Sequence, residues 1–284
     1  MITIMNVKFW LKSAGYCTSH QHFALRGSKR KTIRFPATYG LIHHPVHGWI
    51  LFDTGYTRRF FEGTQRFPGS IYGRLTPVFI QPEEEVVSAL RESGIKPEEI
   101  KHIIISHFHA DHTGGMLDFP QARFYASPEA LEQVNSVSGF QAVRRGILTN
   151  QIPRDLMERS VPLTEENFST KEDPHLGTLI DLFDDGSILL VSLPGHAKGQ
   201  MGAILQTESQ HVFLIADACW LKETWQENRL PHPVVKLFFD SWTDFTDSLT
   251  RIRNYHQANP ETVIIPCHCQ DTVNEIMSLQ AEIY

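Results

Sequence analysis

The sequence predicts an α/β protein. Short apolar segments of strand character alternate with helical ones along almost the whole chain, and its densest cluster of chemically able side chains follows directly on one of those segments. With 284 residues, 41% of them hydrophobic, the chain can bury one substantial core. It also carries 15 histidines, more than its 6 methionines and 7 tyrosines together, and histidine is both the commonest metal ligand and a proton carrier near neutral pH.

The elements follow in order. Residues 2–10 (ITIMNVKFW) alternate apolar and polar side chains and read as a strand. Residues 32–43 and 48–53 read as two more, the latter closed by Asp53-Thr54-Gly55. Residues 57–82 are aromatic, aperiodic and broken by Gly and Pro, which predicts a long loop. Residues 83–93 read as a helix with acids in its first turn and Gly94 just beyond its end. Residues 101–106 (KHIIIS) form a buried strand, and 127–136 a helix with Ser127 as N-cap and Pro128 at its first position. The polar stretch 137–176, broken by Pro153, Pro162 and Pro174, is expected to form a lid or a helical insertion. Strands follow at 178–183, 187–193, 201–206 and 211–216, then an irregular stretch 221–241, a helix at 243–257, a strand at 262–266 and a helix at 270–281. No repeat or linker divides the chain, so a single domain over 1–284 is expected.

Composition narrows the function. No apolar run approaches the roughly 18 residues of a membrane span. The net charge of -6 argues against nonspecific nucleic-acid binding. Met1 to Lys12 has no long apolar core of the signal-peptide kind. Four cysteines make no disulfide framework, so a cytoplasmic protein without membrane or nucleic-acid partners is expected. The basic run Arg26–Arg34 reads as a solvated hairpin.

The strongest motif is Ser106-His107-Phe108-His109-Ala110-Asp111-His112-Thr113-Gly114-Gly115. Strand alternation puts His107 and His109 on one side. The chain must then turn for Asp111 and His112 to reach the same centre, and Gly114-Gly115 permits tight backbone geometry there. Three imidazoles and a carboxylate within six residues have the composition of a transition-metal site. His196, Asp217 and His268 each stand where an apolar strand runs out, which is where open α/β sheets build their sites. Taken singly, each is also compatible with a turn or a helix cap.

These residues, together with Asp53-Thr54-Gly55, make the chain similar to the metallo-β-lactamase superfamily, specifically its dinuclear metal hydrolases; the match spans residues 53 to 268. The resemblance implies an αβ/βα sandwich: two mixed β-sheets packed together with helices outside and the site at one edge. It implies His107, His109 and His196 as ligands of one metal, Asp111, His112 and His268 as ligands of a second, and Asp217 as the bridge. Two divalent transition ions are implied, zinc first, with iron, manganese or cobalt fitting the same donors. A hydroxide between the metals would be the nucleophile, and Asp53 would orient ligand histidines without binding metal. Asp111 and Asp217 would thus take part in catalysis. In Cys267-His268-Cys269, continued extension would point both cysteines away from His268 into the core.

Within that superfamily the chain most resembles the N-acyl-homoserine lactonase group, which implies a small-molecule lactone or ester as substrate. In that group a tyrosine three residues after the bridging Asp assists at the lactone. Here the position is Trp220, whose indole N–H donates one hydrogen bond but cannot act as an acid near neutral pH. Trp220 is therefore carried as a catalytic candidate, and another lactone or ester stays open. So do a glyoxalase II-like thioesterase, a phosphodiesterase and, from a different class, a mono-iron persulfide dioxygenase.

Overall fold

The computed structural model describes residues 5–281. Two mixed sheets lie face to face, and the αβ/βα sandwich implied by the resemblance is the architecture found. The strands are β1 (Lys8–His20), β2 (Thr32–His44), β3 (Gly48–Phe52), β4 (Val78–Phe79), β5 (Ile100–Ile104), β6 (Arg123–Ala126), β7 (Ser160–Pro162), β8 (Ser169–Asp173), β9 (Gly177–Asp181), β10 (Ile188–Ser192), β11 (Met201–Gln206), β12 (His211–Ala216) and β13 (Val263–Pro266). Around them run α1 (Gln21–Ala24), α2 (Arg59–Thr64), α3 (Gly69–Leu75), α4 (Val86–Glu92), α5 (Ala110–Thr113), α6 (Pro128–Ser136), α7 (Gly139–Arg144), α8 (Leu156–Arg159), α9 (Lys222–Gln226), α10 (Trp242–Ala258) and α11 (Gln270–Ala281).

The first sheet has the order β4-β1-β2-β3-β5-β6-β7, the second β13-β12-β11-β10-β9-β8. β3, β5, β6 and β7 pair in parallel, as do β12 and β13, while the remaining pairs are antiparallel. The parallel pairs matter for function. β3 and β5 finish side by side in one sheet, β12 and β13 in the other, so four strand ends meet at one edge of the sandwich. Backbone bonds from Asp53 N–H to Ile104 O (2.8 Å) and from Met201 N–H to Ser106 O (3.0 Å) fasten that edge.

Between the sheets lies an apolar layer in which Ile42, Ile50 and Ile104 meet Leu190, Leu205 and Leu214. α10 covers the outer face of the second sheet. Its Phe245, Leu249 and Ile252, spaced four and three apart, share one stripe and pack with Phe213. Burying such side chains stabilises the fold by about 1.5–3 kcal/mol each. Ser127 caps α6 as expected, accepting from Ala130 N–H (3.1 Å) while donating to Gly199 O (2.7 Å). Among the described residues no helix is long and apolar enough to cross a membrane.

Several sequence expectations are corrected. Of the strand expected at 2–10, residues 2–4 lie outside the described residues, and the strand itself runs from Lys8 to His20. Its second half looks like a loop because it is polar and bulged, with a register shift between Ser13 and Tyr16. Gly15 (φ +72°) sits at that shift, where a Cβ would stand 2.6 Å from Phe79 O. Residues 57–82 are not one loop: α2 and α3 form there around the buried Phe60. Segment 137–176 supplies α7 and α8 and the outermost strand of each sheet, β7 and β8.

At the opposite end of β3, the β2–β3 turn meets the β9–β10 turn. His44 Nε2 donates to Asp185 (2.9 Å), while its Nδ1 accepts from the N–H groups of Val46 (3.0 Å) and His47 (3.1 Å). His102 lies beside this clasp, and burial, with help from His47, Arg123 and His44, holds it down at about 4. The folded value lies below the ~6.5 of an unfolded chain. As pH falls from there towards about 4, the unfolded state takes up a proton that the native state refuses, so stability is lost in that window. The melting temperature is expected to step down between these limits in the native sequence, with a smaller step in His102→Gln.

Candidate metal centre

The four strand ends carry the chemistry. β5 stops at Ile104, the chain bends at Ser106 and again at His109, and α5 then turns Asp111 and His112 back to the same point. The turn is possible because two backbones touch: a Cβ on Gly114 would lie 2.5 Å from Gly55 O and 2.8 Å from Thr57 N, and one on Gly115 would lie 3.1 Å from Thr54 O. Thr54 N–H donates to His112 O (2.8 Å), joining Asp53-Thr54-Gly55 to the histidine motif. Gly114→Ala is therefore expected to cost about 1–3 kcal/mol as overpacking against rigid backbone, measurable by denaturant unfolding. His196 enters from the β10–β11 turn, where Gly195 (φ +128°) brings its backbone against Phe245 N, 2.2 Å from a built Cβ. Asp217 follows β12 directly, after Ala216 at φ +46°.

All seven sequence-expected ligands converge. Ligand atoms of His107, His109, His196 and Asp217 lie within 4.8 Å of one another, as do those of His112, Asp217, Cys267 and His268. Asp217 belongs to both groups, one oxygen in each. Its Oδ2 is 3.1 Å from His196 Nε2, and its Oδ1 is 3.3 Å from both His112 Nε2 and His268 Nε2. Asp111 Oδ2 joins the second group, 3.2 Å from His268 Nε2 and 3.6 Å from His112 Nε2.

The outer partners of the imidazoles set which nitrogen points inward. His268 Nδ1 donates to Pro36 O (2.7 Å), a carbonyl that can only accept, so its Nε2 lone pair faces the centre. His112 Nδ1 donates to Asp53 Oδ2 (2.8 Å), with the same result. Asp53 also accepts from Ser106 N–H (2.8 Å) and from Ser106 Oγ (2.7 Å), and that hydroxyl lies 3.0 Å from His107 Nδ1. Asp53 thus holds His112 directly and His107 through Ser106, with its own backbone at φ +62°.

These residues fit a pair of metal ions. His107 Nε2 is buried without a hydrogen-bond partner, an expensive state unless a cation meets it, and His112 Nε2 has only the carboxylate oxygens of Asp217 and Asp111 at 3.3 and 3.6 Å. Burial, with the neighbouring His196, pushes His109 down to about 3 and keeps it neutral. Asp111 resists the upward push of burial because His112 and His268 face it, and it stays ionised at about 2. Neutral imidazoles and ionised carboxylates are the states a metal binds. His112 and His268 are also buried, but Asp111 and Asp53 around the first and Cys267 and Asp217 around the second hold them well above the usual value. A cation there takes over what their protons do.

Two residues differ from expectation. Trp220 Nε1 donates to Asp217 Oδ2 (2.9 Å), so its one donor faces the shared carboxylate. Cys267 does not turn into the core: β13 ends at Pro266, and Cys267 and His268 sit in a turn. Both side chains reach the centre, with Cys267 Sγ 2.6 Å from Asp217 Oδ1. Extension past the strand was the mistaken premise, and Pro266 at the strand's end was the available sign. Beside the first group, Gly146 from the 137–176 segment packs on the His109 ring, where a Cβ would lie 2.5 Å from Cδ2. Close to it a cavity of about 390 Å³ opens between the 62–69 and 139–150 segments. The basic Arg26–Arg34 run lies at the β1–β2 connection.

Residues 32–268 match the Metallo-beta-lactamase superfamily. The chain is 25% identical over 230 residues to the N-acyl homoserine lactonase AttM of Rhizobium radiobacter, a match covering 81% of this chain and 80% of that one. It superposes with TM-score 0.73 and 20% identity on a solved N-acyl homoserine lactone hydrolase with the product N-hexanoyl-L-homoserine bound at the catalytic metal center, covering 96% of each chain. A dizinc quorum-quenching lactonase, AidC, in complex with a product, superposes with TM-score 0.63 and 14% identity over 95% of this chain and 90% of that one.

Proposed function

This chain belongs to the metallo-beta-lactamase superfamily, and from that premise we propose that it is a metal-dependent hydrolase that opens lactones of the N-acyl homoserine type or closely similar esters. The observation that carries this reading is the carboxylate of Asp217, with one oxygen in each of two adjoining donor groups. Similarity to a lactonase over 81% of the chain supports the substrate class.

His107, His109 and His196 would hold one ion, Asp111, His112 and His268 a second, and Asp217 both. Two such ions, zinc in the first instance, would supply an activated water as nucleophile and polarise the carbonyl under attack. The chain's own groups do the remainder. Asp53 and Pro36 fix the tautomers of His112 and His268, so that no reorganisation is needed on binding. Asp111, faced by His112 and His268, stays an ionised donor at the second position. Trp220 holds Asp217 Oδ2 in its orientation. The free cysteines favour a cytoplasmic setting.

The test is a panel of lactones, thioesters, phosphodiesters and aryl esters given to metal-loaded protein, before and after chelation. Homoserine lactones are expected to be opened fastest, with activity lost on chelation and restored by metal. A preference for thioesters or phosphodiesters would overturn the substrate assignment, and a single iron with oxygen consumption on a persulfide would overturn hydrolysis. Trp220→Tyr removes the bond to Asp217 Oδ2; if position 220 is equivalent to the lactonase tyrosine, the new hydroxyl is expected to more than offset that loss and raise homoserine-lactone turnover about tenfold, the worth of one hydrogen bond to a charged group. Unchanged turnover would show that position 220 does not face the lactone.

A further inference from the structure

The expected ligands leave one donor at the centre without a role. Cys267 is 5% exposed, and its sulfur belongs to the second donor group with His112, Asp217 and His268. The turn after Pro266 is pinned from two sides: Thr38 Oγ1 donates to Cys267 O (2.8 Å), and Cys267 N–H to Ala216 O (3.4 Å). The side chain is thereby committed to the centre. Independently, His112 Nε2, on a ring only 1% exposed, points into the same group with no hydrogen bond of its own, the Asp217 and Asp111 oxygens lying 3.3 and 3.6 Å away as a shared cation would hold them. The remaining buried cysteines, Cys219 and Cys269, belong to neither donor group.

We propose that Cys267 is a sulfur ligand of the second metal position, beside Asp111, His112, Asp217 and His268. The proposal rests on reading this centre as a two-metal site. On coordination the S–H proton is released to solvent and the thiolate donates to the cation. The two positions then differ in kind. The first offers nitrogen and oxygen alone, while the second adds a soft anionic donor, which selects zinc or cobalt over manganese and magnesium. The extra negative charge would also make an ion held there the weaker Lewis acid of the two.

The experiment is stepwise return of cobalt(II) to the chelator-stripped full chain, reading bound cobalt per chain and near-ultraviolet absorption together. Two cobalt ions per chain are expected, with a thiolate-to-cobalt charge-transfer band. The band should be absent in Cys267→Ser and present in Cys219→Ala and Cys269→Ala. Zinc-edge X-ray absorption on the unmutated protein gives the same answer without depending on the folding of a variant: a sulfur scatterer at about 2.3 Å is expected. Two bound ions with only nitrogen and oxygen scatterers, or a band that survives Cys267→Ser, would overturn sulfur ligation while leaving the two-metal reading intact. A chain that binds no metal would overturn that reading, and this proposal with it.

Discussion

Asp217→Ala is expected to abolish lactone hydrolysis, down to the uncatalysed background, while the sandwich stays folded. The substitution removes the one carboxylate whose oxygens reach both donor groups, at 3.1 Å from His196 and 3.3 Å from His112 and His268. It also strips Trp220 Nε1 and Cys267 Sγ of their acceptor. The site lies beyond the end of β12, and the apolar layers of the sandwich do not include Asp217. Far-UV circular dichroism should therefore be retained, while metal analysis should show fewer than two ions per chain. Turnover equal to that of the native sequence in metal-depleted Asp217→Ala would refute the mechanism.

Asp53→Asn should separate metal affinity from chemistry. Asparagine tolerates the φ of +62° found at this position. It keeps one acceptor for Ser106, but turned towards His112 its amide sets a donor against a donor. The imidazole then loses the partner that holds its tautomer, and metal affinity should fall by about 10–100-fold, the usual effect of removing such a support. Chelator competition measures this directly. At saturating metal most of the turnover should return, because Asp53 touches no reacting atom. Asp53→Ala should in addition cost about 1–3 kcal/mol of stability, since the Ser106 N–H is left buried and unpaired and His112 Nδ1–H keeps only Ser106 Oγ at 3.3 Å.

The site was more legible in the sequence than parts of the fold. His107, His109, Asp111 and His112 follow an unbroken apolar strand, and His196, Asp217 and His268 each end another. Strand ends are easy to read, and their convergence follows once parallel pairs finish at a common edge. Cys267 was misplaced because alternation was carried past Pro266, where the strand had stopped. The missed strands lack the β-branched apolar runs that marked β5, β10 and β13: β4 and β7 have only 2 and 3 residues, β6 reads RFYA and β8 the polar, exposed STKED. The polar half of β1 is held by its pairing with β2 rather than by burial of alternate side chains. α2 and α3, of 6 and 7 residues, depend on tertiary contact, with Phe60 and Tyr72 meeting edge to face at 5.4 Å.

The most direct measurement is the rate of homoserine-lactone ring opening as divalent metal is returned stepwise to stripped protein. Turnover is predicted to be absent in the stripped chain and to reach its maximum as two ions per chain are bound. Undiminished turnover in the stripped chain, or a chain carrying two ions that leaves the lactone closed, would contradict the assignment.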